Sequence, residues 1–356
     1  MIRADGFYTS EFNSFWKKRV EEVGKAPLVI AGIGFDPRSL QSAKMLYESG
    51  IVPKLLPIDF SVISYGDEDG SLSEATTNNR NYINKFDMIT DPLKIEMYDS
   101  QGRSIGGRTL VKEIFNIQTQ LNSFSDIIID IGGLPRTLFA PLMSFLINQQ
   151  KESGIKNLHV ASLPESKLDN EIVSAQILEP NFMYGFDRPT SDDHKFVWIP
   201  IIGKNDPARL RKIHNKIEKS CIETCPILPF RSNDPRLTDQ LILNLKEVLF
   251  QEIRTFNNNI FYIDHRSPFF VYREIIELSG YYSKLLKDLP GEVKVLISPM
   301  DDKTSSVGAI IAAVEKKLPI MYADTISYKV KNGNILSSEI KNEPMEIWVA
   351  GEAYED

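Results

Sequence analysis

The chain has 356 residues, 42% of them hydrophobic, and a formal net charge of -7. At ~100 to 200 residues per domain this length supports two ordinary cores, and the negative charge excludes a surface that holds nucleic acid by overall charge. An anion site here must be a focused cleft, and no apolar run approaches the ~20 residues of a membrane span.

The opening MIRADGFYTSEF lacks the basic and apolar regions of a signal peptide, so the chain is expected to be cytoplasmic. FNSFWKKRVEEVGK predicts an amphipathic helix with Phe12, Phe15, Trp16 and Val20 on one face, ended by Gly24 and Pro27. Residues 1–26 are read as a helix packed on a first unit, residues 27–190. That unit opens with LVIAGIG, a continuous apolar strand of the kind buried on both faces of a parallel sheet. The helix SLQSAKMLYESG and the strand PKLLPIDF follow, and then a polar stretch from Ser64 to Asn84 reads as a loop. LKIEMYDSQGRSIGGRT has hairpin character and a helix is expected over Val111–Leu121. The strand DIIIDIGG, the helix RTLFAPLMSFLINQQ and the strand NLHVASLP close the unit.

FVWIPIIG begins a second unit, residues 191–356, in which the order of elements repeats. LVIAGIGFDPRSL is echoed by VWIPIIGKNDPARL, LLPIDFS by CPILPFRS, DIIIDIGGLPRTLFAPLMSFL by VKVLISPMDDKTSSVGAIIAAV, and NLHVASLPES by LPIMYADTIS, at offsets of roughly 160 to 172 residues. The expected fold is α/β: two tandem, pseudo-duplicated Rossmann-like three-layer units with mostly parallel sheets and right-handed crossovers. Ligands of such sheets sit at the carboxyl ends of the strands, at the switch point.

Three loops after strands carry the candidate ligand residues. In the first, Gly34, Asp36 and Arg38 surround Pro37, combining close backbone approach, a helix N-terminus and a planar guanidinium fork. Asp36 could equally cap the helix and Arg38 pair with an acidic neighbour. The loop is not a dinucleotide fingerprint, because the third glycine of GxGxxG is replaced by Pro37. In the second, Asp130, Gly132, Gly133, Arg136 and Thr137 end a buried strand and open a helix. A carboxylate there needs partners, and Asp130 is either a polar anchor for ligand or a tie between loops. In the third, Ser298, Lys303, Thr304 and Ser305 precede the small-residue helix GAIIAAVEKK, which Gly308, Ala309, Ala312 and Ala313 are expected to bring close to the sheet.

Asp264 and His265 follow the strand NIFYI, where general acid-base chemistry has room, although SPFFVYREI also reads as a plain strand-to-helix turn anchored by Phe269 and Tyr272. The catalytic candidates are His265, Asp264 and Asp130. His159 is mid-strand and read as packed; His194 lies in a linker and His214 on a helix. Cys221 and Cys225 lack further ligands nearby and read as packing thiols, so no metal or other cofactor is expected. HExxH, GxSxG and GxxxxGK[ST] are absent from the sequence, which leans away from an enzyme.

ISPMDDKTSSVGAIIAAVEKKLPIMYAD resembles the strand, polar loop and small-residue helix of CRISPR-associated Rossmann-fold (CARF) domains, and two such units in one chain resemble the SAVED sensors of bacterial anti-phage systems. The resemblance implies a loop that binds cyclic oligonucleotides, with Lys303 and Thr304 at its basic and hydroxyl positions and DIGGLPRT as its counterpart in the first unit. Met-Asp-Asp stands where that family often has glycines, which suggests ribose or base contacts. Function is accordingly expected to be that of a nucleotide or cyclic-oligonucleotide sensor or adaptor in defence signalling. It would pass a ligand-induced change to a separate effector or operon-partner protein, with the N-terminal helix and the Ser64–Asn84 stretch as contact surfaces. The alternatives are a nucleotide-processing hydrolase or phosphodiesterase using the same cleft, and a ligand-free scaffold subunit.

Overall fold

The computed structural model describes residues 7–60, 70–153, 155–164, 168, 171–190, 193–230, 234–264, 266–289, 291–330, 340 and 342–354. In chain order these form β1 (Tyr8–Thr9), α1 (Phe12–Val23), β2 (Leu28–Ile33), α2 (Gln41–Glu48), β3 (Lys54–Phe60), α3 (Ser71–Tyr82), β4 (Asp87–Met88), β5 (Leu93–Ile95), α4 (Gly106–Asn116), α5 (Gln118–Leu121), β6 (Asp126–Asp130), α6 (Arg136–Ser153), β7 (Asn157–Ser162) and β8 (Ile172–Ile177). There follow β9 (Asn181–Phe182), β10 (His194–Ile201), α7 (Pro207–Ile217), β11 (Cys221–Thr224), β12 (Ile227–Phe230), α8 (Leu237–Lys246), β13 (Phe261–Asp264), α9 (Pro268–Leu285), β14 (Glu292–Pro299), α10 (Lys303–Lys316), β15 (Met321–Tyr322), β16 (Thr325–Val330) and β17 (Met345–Ala350).

Two compact units result, Met1–Gln176 with Thr325–Asp356, and Ile177–Asp324. The division falls at 176 rather than 190, and the segment from Thr325 returns to the first unit. The reason is a strand pairing: β17 lies antiparallel on β7, Glu346 opposite Ala161 and Trp348 opposite His159.

In the first unit β2 pairs in parallel with β3 on one side and β6 on the other, and β6 pairs in parallel with β7. The outer edge of β3 takes β4 at Lys54–Leu55 and β5 at Ile58–Phe60. The chain therefore winds outward from β2, then crosses back to β6, which puts the switch point at the carboxyl ends of β2 and β6. Every residue of β2, β6 and β7 is buried, as continuous apolar runs in a covered parallel sheet require. Val29, Ala31 and Ile33 pack with Phe12 and Trp16 of α1 and Ala43 and Leu46 of α2. Leu28 and Ile30 face the other way and are equally buried, so both faces are covered.

Helix α1 ends as expected at Gly24, in the left-handed region at φ 71°, with its N–H on the Val20 carbonyl. Helix α4 begins at Gly106, earlier than expected, and crosses α6 closely. A Cβ on Gly107 would lie 2.7 Å from the Pro141 ring and 2.7 Å from the Thr137 carbonyl. That carbonyl is the one whose helical donor Pro141 lacks. The hairpin expected between β5 and α4 is a single antiparallel bridge, Tyr98 to Ser104, around a turn held by the Asp99 carboxylate.

The second expectation to change is the polar stretch 64–84. Its residues 64–69 lie outside the described ones, and Ser71–Tyr82 is not a loop but helix α3, buried along Leu72, Ala75 and Asn79. Threonine and asparagine are indifferent helix formers, so the helix stands on docking of that face rather than on propensity.

The second unit repeats the strand class with its own core. β10 pairs in parallel with β14 on one side and with β11 and β12 on the other, and β13 lies outside β12. Its switch point is at the ends of β10 and β14. Phe196 and Trp198 pack with Leu210, Ile213 and Ile217 of α7 and Leu245 of α8, while Val197 and Ile199 point to the opposite, equally buried face. Both units are thus α/β with mostly parallel sheets; a shared strand order belongs to the whole doubly wound class and carries no statement about duplication. No helix among the described residues is long and apolar enough to cross a membrane.

Candidate functional site

At the switch point of the first unit the predicted loops meet, and they meet each other. Arg38, 5% exposed, donates from Nε and Nη2 to the two Asp36 carboxylate oxygens at 2.9 and 2.7 Å, and from Nη1 to the Leu163 carbonyl at 3.4 Å. The Asp130 carboxylate accepts from the Ser42 amide and hydroxyl at 2.9 and 2.6 Å, capping the start of α2 from a neighbouring strand, and from the Gly132 amide at 3.0 Å. Gly132 and Gly133 are required by proximity: a Cβ on Gly132 would sit 2.5 Å from the Arg38 carbonyl, and one on Gly133 2.2 Å from Ser39 Oγ. Gly34 lies beside the Phe60 ring. Arg136 and Thr137 open α6 and are half-buried. The crevice over β2 and β6 is therefore filled by protein at this point.

The open space lies one strand further out. A cleft of about 540 Å³ sits over the carboxyl ends of β2, β3 and β5, with α3 as its wall. Ile33, Phe60 and Ile95 form an apolar floor, and the charged groups at the rim are Asp59, Arg80, Lys94 and Glu96. Arg80 Nη2 donates to both Asp59 oxygens, at 3.0 and 3.1 Å, and Lys94 is opposite Asp59 in the parallel register. Helix α3 is tied to the β2–α2 loop by Asn79, whose amide donates to the carbonyls of Gly34 at 2.8 Å and Asp36 at 3.2 Å. Its carbonyl oxygen accepts from Lys44, whose pKa is lowered mainly by burial. Thr76 and Thr77, also on the cleft, return their hydroxyls to the carbonyls of Leu72 and Ser73.

None of Asp59, Arg80, Lys94 or Asn79 was singled out from the sequence. Asp59 carried the same signal as Asp130, a carboxylate ending an apolar strand. Arg80 was hidden by reading its segment as a loop.

The second unit's switch point is close-packed as well. Ser298 is buried and its hydroxyl accepts from Trp198 Nε1 at 2.9 Å. Asp301, 5% exposed, lies against Gly203, where a Cβ would come within 1.4 Å of its carboxylate. Asp302 is the N-cap of α10, accepting from the Ser305 amide at 2.7 Å, while the hydroxyls of Ser305 and Ser306 turn back to its carbonyl. Thr304 is buried and Lys303 half-buried. Gly308 faces helix α9 rather than the sheet, with the Pro268 carbonyl 1.8 Å from where its Cβ would be. Asp206 caps α7, accepting from the Arg209 amide at 3.1 Å and pairing with its guanidinium at 3.2 Å.

Asp264 accepts from Arg266 Nε and Nη2 at 2.8 and 2.6 Å. It borders a smaller cleft of about 330 Å³ with Phe230, Phe270, Arg273, Glu274 and Glu277. Burial, and then the charge of Glu277, raise the Glu274 carboxyl above its usual range. His265 lies outside the described residues. Arg38 and Arg136 belong to the first unit, Asp264 and Lys303 to the second. The Cys225 thiol is pushed up to about 12, chiefly by burial, and contacts the Tyr282 hydroxyl at 3.1 Å. No cluster of three or more His, Cys, Asp or Glu placed to hold a metal occurs among the described residues.

A further polar cluster of the first unit links α1, β6, β7 and β17. His159, fully buried, places Nδ1 2.7 Å from Glu346 Oε1 and Nε2 3.3 Å from Asp126 Oδ1. Trp16 donates to Glu346 at 2.9 Å, and Arg19 bridges Asp126 and Glu352, each at 2.8 Å.

Neither a family model nor a curated protein matches the chain. Among solved structures, one described as a universal stress protein from Pseudomonas aeruginosa UCBPP-PA14 aligns over 83% of this chain and 92% of its own, at 11% identity and a TM-score of 0.24. A likeness at that level carries no argument.

Proposed function

We propose that the first unit binds a nucleotide-type anionic ligand in the cleft over β2, β3 and β5. The chain would then serve as a CARF- or SAVED-like sensor or adaptor that passes the change to a separate effector protein. The observation that supports this reading is the cleft itself: a half-open volume in the range of small-molecule sites, at the carboxyl ends of parallel strands one strand out from the switch point, with Arg80 and Lys94 at its rim beside Asp59 and Glu96. Helix α3 is the element that would carry the change, since Asn79 couples it to the β2–α2 loop.

The test is a calorimetric and thermal-shift screen of the full chain against mononucleotides and cyclic oligonucleotides. A ligand at a hundred times its Kd adds about 2.7 kcal/mol to the state that binds it, so a rise of several degrees in the melting midpoint is expected. Arg80→Ala and Lys94→Ala should each weaken binding about tenfold or more, the worth of a charge-assisted hydrogen bond. Indifference to every nucleotide would overturn the proposal.

A further inference from the structure

We infer that Asp59, braced by Arg80, reads the ribose of that ligand, so that the cleft takes ribonucleotides and discriminates against their 2′-deoxy counterparts. The inference rests on the proposed function and names the part of the nucleotide that the cleft recognises.

Asp59 ends β3, the second strand of the winding, one position inside the terminal Phe60. A carboxylate at the end of that strand, some 25 residues after the glycine turn that ends the first strand, is where doubly wound nucleotide folds hydrogen-bond the ribose hydroxyls. The usual companion of such an acid is a pyrophosphate over the first turn. Here that position is taken by the packing of Gly132 and Gly133 on Arg38 and Ser39, so a ligand is displaced outward, toward Asp59 and Lys94.

The chemistry of the pair suits a diol. Both Asp59 oxygens accept from a single nitrogen of Arg80, which occupies two of the roughly four lone-pair sites of a carboxylate. Adjacent hydroxyls can donate to sites that remain, while Arg80 fixes the carboxylate plane. Lys94, beside Asp59 on β5 and exposed, is placed for a phosphate attached to that ribose.

The pair is not needed to hold the fold. Its side chains are 50% and 22% exposed, and ion pairs of that kind contribute little to stability. Arg80 is half-exposed and Asp59 less so, and both line the cleft, where a ligand can reach them.

The experiment measures binding of the four ribonucleoside triphosphates to the full chain by calorimetry, each beside its 2′-deoxy counterpart. The wild type should prefer the ribo form by about tenfold or more, the loss expected when a hydrogen bond to a charged group is removed. Asp59→Ala should bring that ratio to about one, and the milder Asp59→Asn should lower it in the same direction, with melting midpoints unchanged. Equal binding of ribo and deoxy forms by the wild type, or an unchanged ratio in Asp59→Ala, overturns the inference and leaves the proposed function standing. Absence of any nucleotide binding overturns both.

Discussion

Replacing His159 by alanine is expected to destabilise the first unit by about 3 to 5 kcal/mol, the cost of removing one partner from a buried ionic cluster. The imidazole lies between two buried carboxylates, and only the doubly protonated ring can donate to both Glu346 and Asp126. Burial opposes that charge, but Glu346 and Asp126 outweigh it, so the His159 pKa is raised above its ordinary 6.5. For Asp126, burial pulls upward, while the bond and charge of His159 with the bond from Arg19 leave its pKa lowered.

The signs give a pH dependence. A histidine whose folded pKa is raised contributes stability that is fully present below its unfolded pKa near 6.5 and is lost as pH rises through the folded value. An aspartate whose folded pKa is lowered contributes stability above its unfolded pKa near 3.8, lost as pH falls through the folded value. Urea unfolding followed by tryptophan fluorescence, with Trp16 and Trp348 flanking the ring, should show the first unit weakening as pH rises above about 6.5. The His159→Ala protein should lack that slope. An unaltered slope in the variant, or a loss below about 1 kcal/mol, would contradict this account of the cluster.

Gly308→Ala is expected to cost about 3 kcal/mol, at the upper end of overpacking penalties. The new methyl would stand 1.8 Å from the Pro268 carbonyl oxygen and 3.1 Å from the Tyr272 amide. Both are backbone atoms of α9, so no side chain can swing away and the two helices must part. Gly280, on α9, is the control: a Cβ there meets nothing within 4 Å, and Gly280→Ala should instead stabilise by roughly 0.5 to 1 kcal/mol through helix propensity. Thermal or urea unfolding of the pair checks the contrast, and equal effects at the two positions would show that the α9–α10 contact is not as close as described.

What was legible in the sequence was what local patterns encode. LVIAGI, DIIID and NLHVAS announce buried strands, whereas Asp301 and Asp302, expected at ribose or base contacts, pack on Gly203 and cap α10. Half of the plainer reading of the first loop describes its geometry: Arg38 pairs with Asp36, but Asp36 does not cap α2, which starts at Gln41 behind Leu40 and takes its carboxylate from Asp130. Helix α3 escaped because SLSEATTNNRNY has three docked positions and a poor intrinsic tendency, so its helicity is a tertiary property. The His159 cluster escaped because its members are hundreds of residues apart, Trp16 and Glu346 by 330 and His159 and Glu346 by 187. Strand β17 escaped because the internal echo assigned the chain end to the second unit, and only its pairing with β7 reveals otherwise.

The cleft was missed for a related reason. The expected site residues are the ones that shape glycine turns and helix caps, and in both units those turns pack on themselves. The unfilled space lies beside the next strand, lined by residues of ordinary appearance, Asp59 and Lys94, and by the helix that looked like a loop.

The central claim is that ligand enters over β2, β3 and β5 of the first unit. Hydrogen exchange of the full chain with and without a saturating ribonucleotide tests it directly. The account predicts slowed exchange in the peptides covering 72–80 and 93–96, with loop 298–306 of the second unit unchanged. Protection confined to 298–306, or absent from 72–80 while the nucleotide is bound, would contradict it.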